Sequence, residues 1–292
     1  MKRVTLCATL VALTLAGCAT APPGTDGDLV DDWAPLATAT GFTPDAGTCH
    51  PTGSKVGYRS SYAPAPCDQP HMVETLHVGT VTGADTTDSA PPKAGSAGMQ
   101  AAYATCEQEV NQALGADWRS GRVGLTVVMP SRGGWEGGSR WFRCDVHEEK
   151  SLDDRSAVSR TASLTGALKG DSELRHTCFE PALEDDQVTE MKPVACDQKH
   201  HAEFVGVWTA PDTDFADFQR NEDKTDKGCA ELIAEYVGVP RSDVKYRAGW
   251  IYYEPWEEQW INGDRGVQCF LWVGDRNLTR SMKGAGKAGL PI

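Results

Sequence analysis

The chain has little positive charge. Lys and Arg number 28 against 41 Asp and Glu, a formal charge of −13, and a body this acidic repels nucleic acid and anionic lipid surfaces. Beyond Leu15 no apolar run is long enough to cross a bilayer. The common hydrolase signatures are missing, with no Gly-x-Ser-x-Gly and no His-Glu-x-x-His. Ser242 to Lys245 has the bare Ser-x-x-Lys spacing of acyl enzymes that process peptidoglycan. Its companion Ser-Asp-Asn and Lys-Thr-Gly elements are absent, so the spacing reads as accidental. The acidic loop of Asp212, Asp214, Asp217, Glu222 and Asp223 lacks the mid-loop glycine and terminal glutamate of an EF-hand. It reads as a solvated loop, as does Glu184-Asp185-Asp186, and no cofactor is expected.

What is present begins with an address. Lys2 and Arg3 precede the apolar run Val4–Leu15, and Leu15-Ala16-Gly17-Cys18 follows. That layout is a secretory signal peptide. Its last four residues resemble the bacterial lipobox, which implies cleavage before Cys18 and acylation of that cysteine. Loss of Lys2 and Arg3 takes the charge from −13 to −15, and Cys7 leaves with the signal. Residues Ala19–Thr48 are rich in Ala, Thr, Pro, Gly and Asp, with five acidic side chains and no basic one. Such a segment cannot bury enough apolar surface to fold alone and reads as a tether, although Trp33 and Leu36 offer docking points.

About 240 residues remain, and they repeat. The cysteines fall into Cys49, Cys67, Cys106, Cys144 and Cys178, Cys196, Cys229, Cys269, with the same first gap in both sets. Around the second cysteine both copies read Cys-Asp-Gln-x-His-x-x-Glu: Cys67, Asp68, His71 and Glu74, then Cys196, Asp197, His200 and Glu203. Later each has Pro-x4-Trp-x2-Gly-x-Arg-x3-Cys, through Pro130, Trp135, Gly138, Arg140 and Cys144, then Pro255, Trp260, Gly263, Arg265 and Cys269. The tails Leu164-Thr165 to Lys169-Gly170 and Leu278-Thr279 to Lys283-Gly284 look alike. So many coincidences mark a duplication.

Tyr103, Cys106, Val110 and Leu114 make one helical stripe that ends at Gly115, and Cys229, Ile233 and Val237 repeat it up to Gly238. Glu74–Val81, Val123–Met129, Glu203–Thr209 and Lys245–Tyr253 read as strands. The expected fold is α+β: two tandem disulfide-stapled units, each with one helix packed on an antiparallel sheet. The boundaries are 1–17 for the signal, 18–47 for the anchored linker, 48–170 for the first repeat and 171–292 for the second. An exported unit of this size uses cysteines as reinforcement. Of three pairings per unit, first-to-second and third-to-fourth is favoured: Cys49–Cys67, Cys106–Cys144, Cys178–Cys196 and Cys229–Cys269.

The Cys-Asp-x-Pro-His-x-x-Glu segment together with Pro-x4-Trp-x2-Gly-x-Arg-x3-Cys resembles the septum formation domain of actinobacterial envelope proteins, once per copy. Lys199 in the second copy stands where the first has Pro70. The resemblance implies export and a cell-envelope setting, and brings no mechanism.

His71 with Glu74, and His200 with Glu203, are the best candidates for chemistry. One reading makes them a hydrolytic pair acting on cell-wall material, another part of a metal cluster. The favoured one makes them fold determinants, the histidine fixing a turn through a backbone carbonyl and the aspartate capping it. Arg140 is expected to pair with Asp68, and Arg265 with Asp197, while Trp135 and Trp260 stack on the guanidiniums. The alternative has both arginines facing an anionic polymer. Trp256, with Ser131 at the matching place, is not required by the repeat and is a candidate contact. The chain is expected to be a non-enzymatic binding or scaffolding module on the outer face of the membrane, held there by its anchor. Its expected partner is an envelope protein or cell-wall polymer, not nucleic acid. Cys18→Ala should release the protein from the membrane fraction or block its processing. Membrane fractionation with N-terminal sequencing checks this, and a mature N-terminus other than Cys18 would contradict it.

Overall fold

A computed structural model describes residues 41–185 and 187–290. The signal segment, Cys18, Trp33 and Leu36 lie outside the described residues. The first half runs β1 (Thr48–His50), β2 (Val56–Gly57), β3 (Val73–Thr80), α1 (Ala97–Leu114), β4 (Val123–Pro130), α2 (Arg132–Glu136) and β5 (Trp141–Glu148). The second runs β6 (Cys178–Glu184), β7 (Gln187–Val194), β8 (Ala202–Thr209), α3 (Phe215–Gln219), α4 (Glu222–Val237), α5 (Arg241–Val244), β9 (Gly249–Tyr253), α6 (Glu257–Ile261), β10 (Gly266–Trp272) and α7 (Gly286–Gly289). Each half is a five-stranded sheet, ordered β1-β3-β5-β4-β2 and β7-β6-β8-β10-β9. The named strands pair antiparallel, except that β2 runs parallel to the end of β4. The fold is α+β.

The long helices form for the reasons visible in their stripes. In α1 the Ser96 hydroxyl accepts from the Met99 N–H, and Gly115 stops the helix at φ 88°, a conformation glycine adopts without a Cβ clash. Ala102, Tyr103, Cys106, Val110 and Leu114 are buried against the sheet. In α4 the buried face is Thr225, Cys229, Ile233 and Val237, and Gly238 ends it at φ 81°. Disulfides Cys106–Cys144 and Cys229–Cys269 tie each helix to a central strand, spanning 38 and 40 residues. Cys49–Cys67 and Cys178–Cys196 each close a span of 18 residues at the sheet's start. In the chain-entropy account a bridge of the shorter span contributes about 3 kcal/mol and one of the longer about 4 kcal/mol.

Two local expectations change. The strand expected from Lys245 begins only at Gly249, because Pro240 opens the helical turn α5 and Val244 is fully buried beneath α4. Residues 41–47, read above as the end of the tether, include Phe42, whose ring packs edge-on to Tyr62 and Trp141 and whose carbonyl accepts from Trp141 Nε1 at 2.8 Å.

The halves share an interior, and from Gly41 onward the chain is one compact unit. At the junction Arg119 is 3 % exposed and reaches Asp264, itself 2 % exposed. Its Nη2 and Nε donate to Asp264 Oδ1 at 2.6 and 3.0 Å. Tyr103 Oη, Glu107 and Asp117 take the remaining donors at 3.0, 2.6 and 3.3 Å, and the Trp118 ring lies 4.5 Å from the guanidinium. The Arg119 carbonyl accepts from Gln268 Nε2 at 2.7 Å. On the opposite flank Asp153 accepts from the Met191 N–H and the Tyr253 hydroxyl, at 2.7 and 2.5 Å. Removing one member of a buried pair leaves the other charge uncompensated. Asp264→Ala should therefore lower unfolding stability by about 3–5 kcal/mol, read by urea denaturation. A change within about 0.5 kcal/mol would contradict this role for the pair.

Candidate functional site

The repeated motif sits where each sheet meets its own C-terminal tail. His71 and His200 are 1 % and 0 % exposed. Each places Nδ1 at 2.8 Å from the carbonyl of the motif's glutamine, Gln69 or Gln198, so that nitrogen carries the proton. The main chain of His71 exchanges both hydrogen bonds with Arg160, and that of His200 with Leu278. Glu74 then receives the Ser163 hydroxyl at 2.7 Å and the Leu164 N–H at 2.6 Å. Glu203 receives the Ser281 hydroxyl at 3.0 Å and the Met282 N–H at 2.9 Å. The second copy adds the Tyr236 hydroxyl at 2.8 Å and His200 Nε2 at 3.0 Å to the same carboxylate. His200 is thus held at both ring nitrogens, Nδ1 by a carbonyl and Nε2 by a carboxylate. In the first copy His71 Nε2 has no partner among the described residues. Each motif is a latch: a buried carboxylate gathers the donors of the tail and binds it to the sheet.

The latch corrects the register of the tails. Ser163-Leu164 matches Ser281-Met282 in its contacts, and Gly166 and Gly284, at φ 73° and 67°, follow at the same interval. Leu164 is thus the counterpart of Met282 and not of Leu278; the side chains that look alike in sequence are offset from the groups that bind the carboxylate.

A family model described as septum formation matches residues 46–269, from before β1 to the last cysteine. The chain belongs to the septum formation family. The matched span is continuous and runs through both halves of this septum formation protein. No curated protein and no solved structure matches it.

Metal chemistry at the latches would have no cysteine ligand to use. Ligand atoms of Cys49, Cys67 and Glu74, and of Cys178, His200 and Glu203, lie within 4.8 Å of one another. The cysteines are in disulfides and offer no thiolate.

Arg140 does not meet Asp68, nor Arg265 Asp197. Arg140 donates to the carbonyls of Thr86, Trp135 and Ser139 at 3.0, 2.7 and 2.8 Å. Arg265 donates to the carbonyls of Trp260 and Asp264 and to Asp212 Oδ1. The expected stacking is present, with guanidinium carbons 4.0 and 4.2 Å from the Trp135 and Trp260 rings. Each indole N–H donates at 2.7 Å to a carbonyl of the loop after β3 or β8, Asp88 or Thr213. The Trp-Arg pair thus staples that loop to the short helix, and its shared register answers to backbone carbonyls, which any sequence supplies. Asp68 and Asp197 are exposed on the turn.

An open cleft of about 310 Å³ lies elsewhere, between the halves. Its floor carries His147 and Glu149, at the end of β5, and Arg155, Trp256, Gln259 and Asn262 stand around it. Glu149 is 9 % exposed, yet its carboxylate accepts no hydrogen bond from the described residues. Burial pushes its carboxyl up to about 7, against the opposing pull of Arg155 and Arg122. Burial likewise holds the His147 imidazole below its usual range, opposed by a hydrogen bond to the Arg155 carbonyl. Trp256 is 63 % exposed, with the Arg155 guanidinium 5.5 Å from its ring. Of these residues sequence reasoning singled out only Trp256, since His147 and Glu149 belong to neither repeated motif.

The staple makes a sharp distinction. Arg140→Ala should cost about 2–3 kcal/mol, from charge-assisted hydrogen bonds and ring stacking, and Arg140→Lys should recover little. Asp68→Ala should change stability by less than about 0.5 kcal/mol. Denaturant titration of the three variants measures both, and equal losses for Arg140→Ala and Asp68→Ala would restore the abandoned pairing.

Proposed function

We propose that this septum formation protein is a lipid-anchored binding module of the cell envelope, acting outside the cytoplasm by holding a partner and not by turning one over. Four disulfides belong to an oxidising compartment. Acylation of Cys18 would fix the chain to the outer face of the membrane.

The observation that carries this reading is the contrast between two kinds of polar site. The repeated His/Glu pairs are buried, and both oxygens of each carboxylate accept hydrogen bonds from the chain's own tail. A hydrolytic base needs a water or substrate proton within hydrogen-bond reach, and Glu74 and Glu203 are 2 % and 0 % exposed, which favours the binding reading. The Glu149 carboxylate, which accepts no hydrogen bond from the described residues, instead borders the cleft between the halves, the concave setting in which ligands are held. The partner is an envelope polymer or protein; the acidic body favours no nucleic acid.

Incubating the mature protein with purified cell-wall sacculi tests the proposal. The expected result is saturable co-sedimentation with no release of soluble fragments. Fragment release that Glu203→Gln abolishes would overturn it in favour of a hydrolase.

A further inference from the structure

In the second copy the strand register of the cleft is repeated without its chemistry. Gly124 on β4 faces His147 on β5, and Gly249 on β9 faces Trp272 on β10. The place of Glu149, five residues after the cysteine, is taken by Gly274. The fold is therefore satisfied by an indole and a glycine where the first copy sets an imidazole and a carboxylate.

Gly124 lets those two groups close over its backbone. A Cβ placed there would lie 2.5 Å from His147 Nε2 and 3.0 Å from Glu149 Oε1, so both polar atoms are drawn to one spot on the cleft wall. His147 Nε2 faces that spot, and an imidazole nitrogen donates or accepts according to its tautomer. Glu149, with its carboxyl near neutrality, can accept or donate. The amide oxygens of Gln259 and Asn262 are taken by the N–H groups of Trp256 and Gly95, at 2.9 and 3.0 Å, which leaves their NH2 groups as donors. The cleft therefore mixes acceptors and donors around a flat, largely exposed indole, and the charge of Arg155 is offset by Glu149.

We propose that the cleft formed by His147, Glu149, Arg155 and Trp256 binds an uncharged pyranose saccharide, its ring face on Trp256 and its hydroxyl or amide groups on the polar floor. A sugar hydroxyl donates and accepts at once, which suits a lining with both kinds of group. A fixed charge on the ligand would find one of Glu149 and Arg155 opposed to it. A volume of about 310 Å³ lies at the small end of ligand pockets and suits one or two rings. The proposal rests on the reading of the chain as a binding module and names the site and ligand class for it.

The test is titration of the full mature protein with a β-1,4-linked tetramer of N-acetylglucosamine, followed by calorimetry and tryptophan fluorescence. Saturable binding is expected. Trp256→Ala should weaken it at least about tenfold, and Glu149→Leu by about tenfold, with melting temperatures unchanged or, for Glu149→Leu, raised. Trp250→Ala, in the separate groove beside Tyr246, should leave the affinity as it was. Absence of saturation up to millimolar saccharide, or binding that survives both cleft substitutions, would overturn the proposal. Equal affinity for a neutral alanine-glycine peptide would overturn it too, making the cleft a peptide site. If the wild type co-sediments with sacculi while the saccharide titration stays flat, the ligand assignment fails and the binding reading stands. If both are flat, both fail.

Discussion

A guanidinium taken out of water must be compensated by the protein around it, and Arg119 imposes that demand at the centre of this molecule. Desolvation of such a group costs several kcal/mol, returned only when the partners are close and its donors are used. Here Asp264 comes from the second half, and Glu107 and Tyr103 from the helix of the first. The arrangement holds only when the halves are docked. Gly266 belongs to the same constraint, because a Cβ there would lie 2.2 Å from Arg119 Nε. The duplication did not require the pair: the counterpart of Asp264 in the first copy is Ser139. Docking is thus an addition to the repeat, and the cleft exists because of it.

The two copies share a skeleton and divide in their use of it. Latch, staple, helix stop and both disulfides occur twice, each satisfied by groups within its own half. Those elements are architecture. Several differences lie along the junction: Arg119 with Asp264, His147 and Glu149 against Trp272 and Gly274, and Trp256 against Ser131. Chemistry that one copy holds and the other lacks is free of the fold's requirements, which makes the junction the natural seat of function.

Much of this was legible in the sequence because it is local. Helical stripes and their glycine stops placed α1 and α4, and alternation placed the central strands. Cysteine spacing, repeated in both copies, is a covalent constraint that carries its register with it. The reading failed where a fixed register was taken to name a partner. Arg140 and Arg265 hold their spacing to reach main-chain carbonyls, which leave no mark on composition. The tail was aligned on leucine and threonine, whereas its contacts are made by a serine hydroxyl and the next N–H. Glu149 was invisible for a further reason. Its neighbours come from both halves, and only their docking turns a strand-end glutamate into a buried one.

Cooperation between the halves is the point from which the rest follows, and native-state hydrogen exchange measures it directly on the unmodified protein. Amides in the central strands, at Val127 and Val146 in the first half and Phe270 and Leu271 in the second, should exchange through one global opening with the same limiting free energy and the same denaturant dependence. Two distinct limits, with one half remaining protected while the other opens, would contradict the account and leave the copies as independent domains joined by a linker.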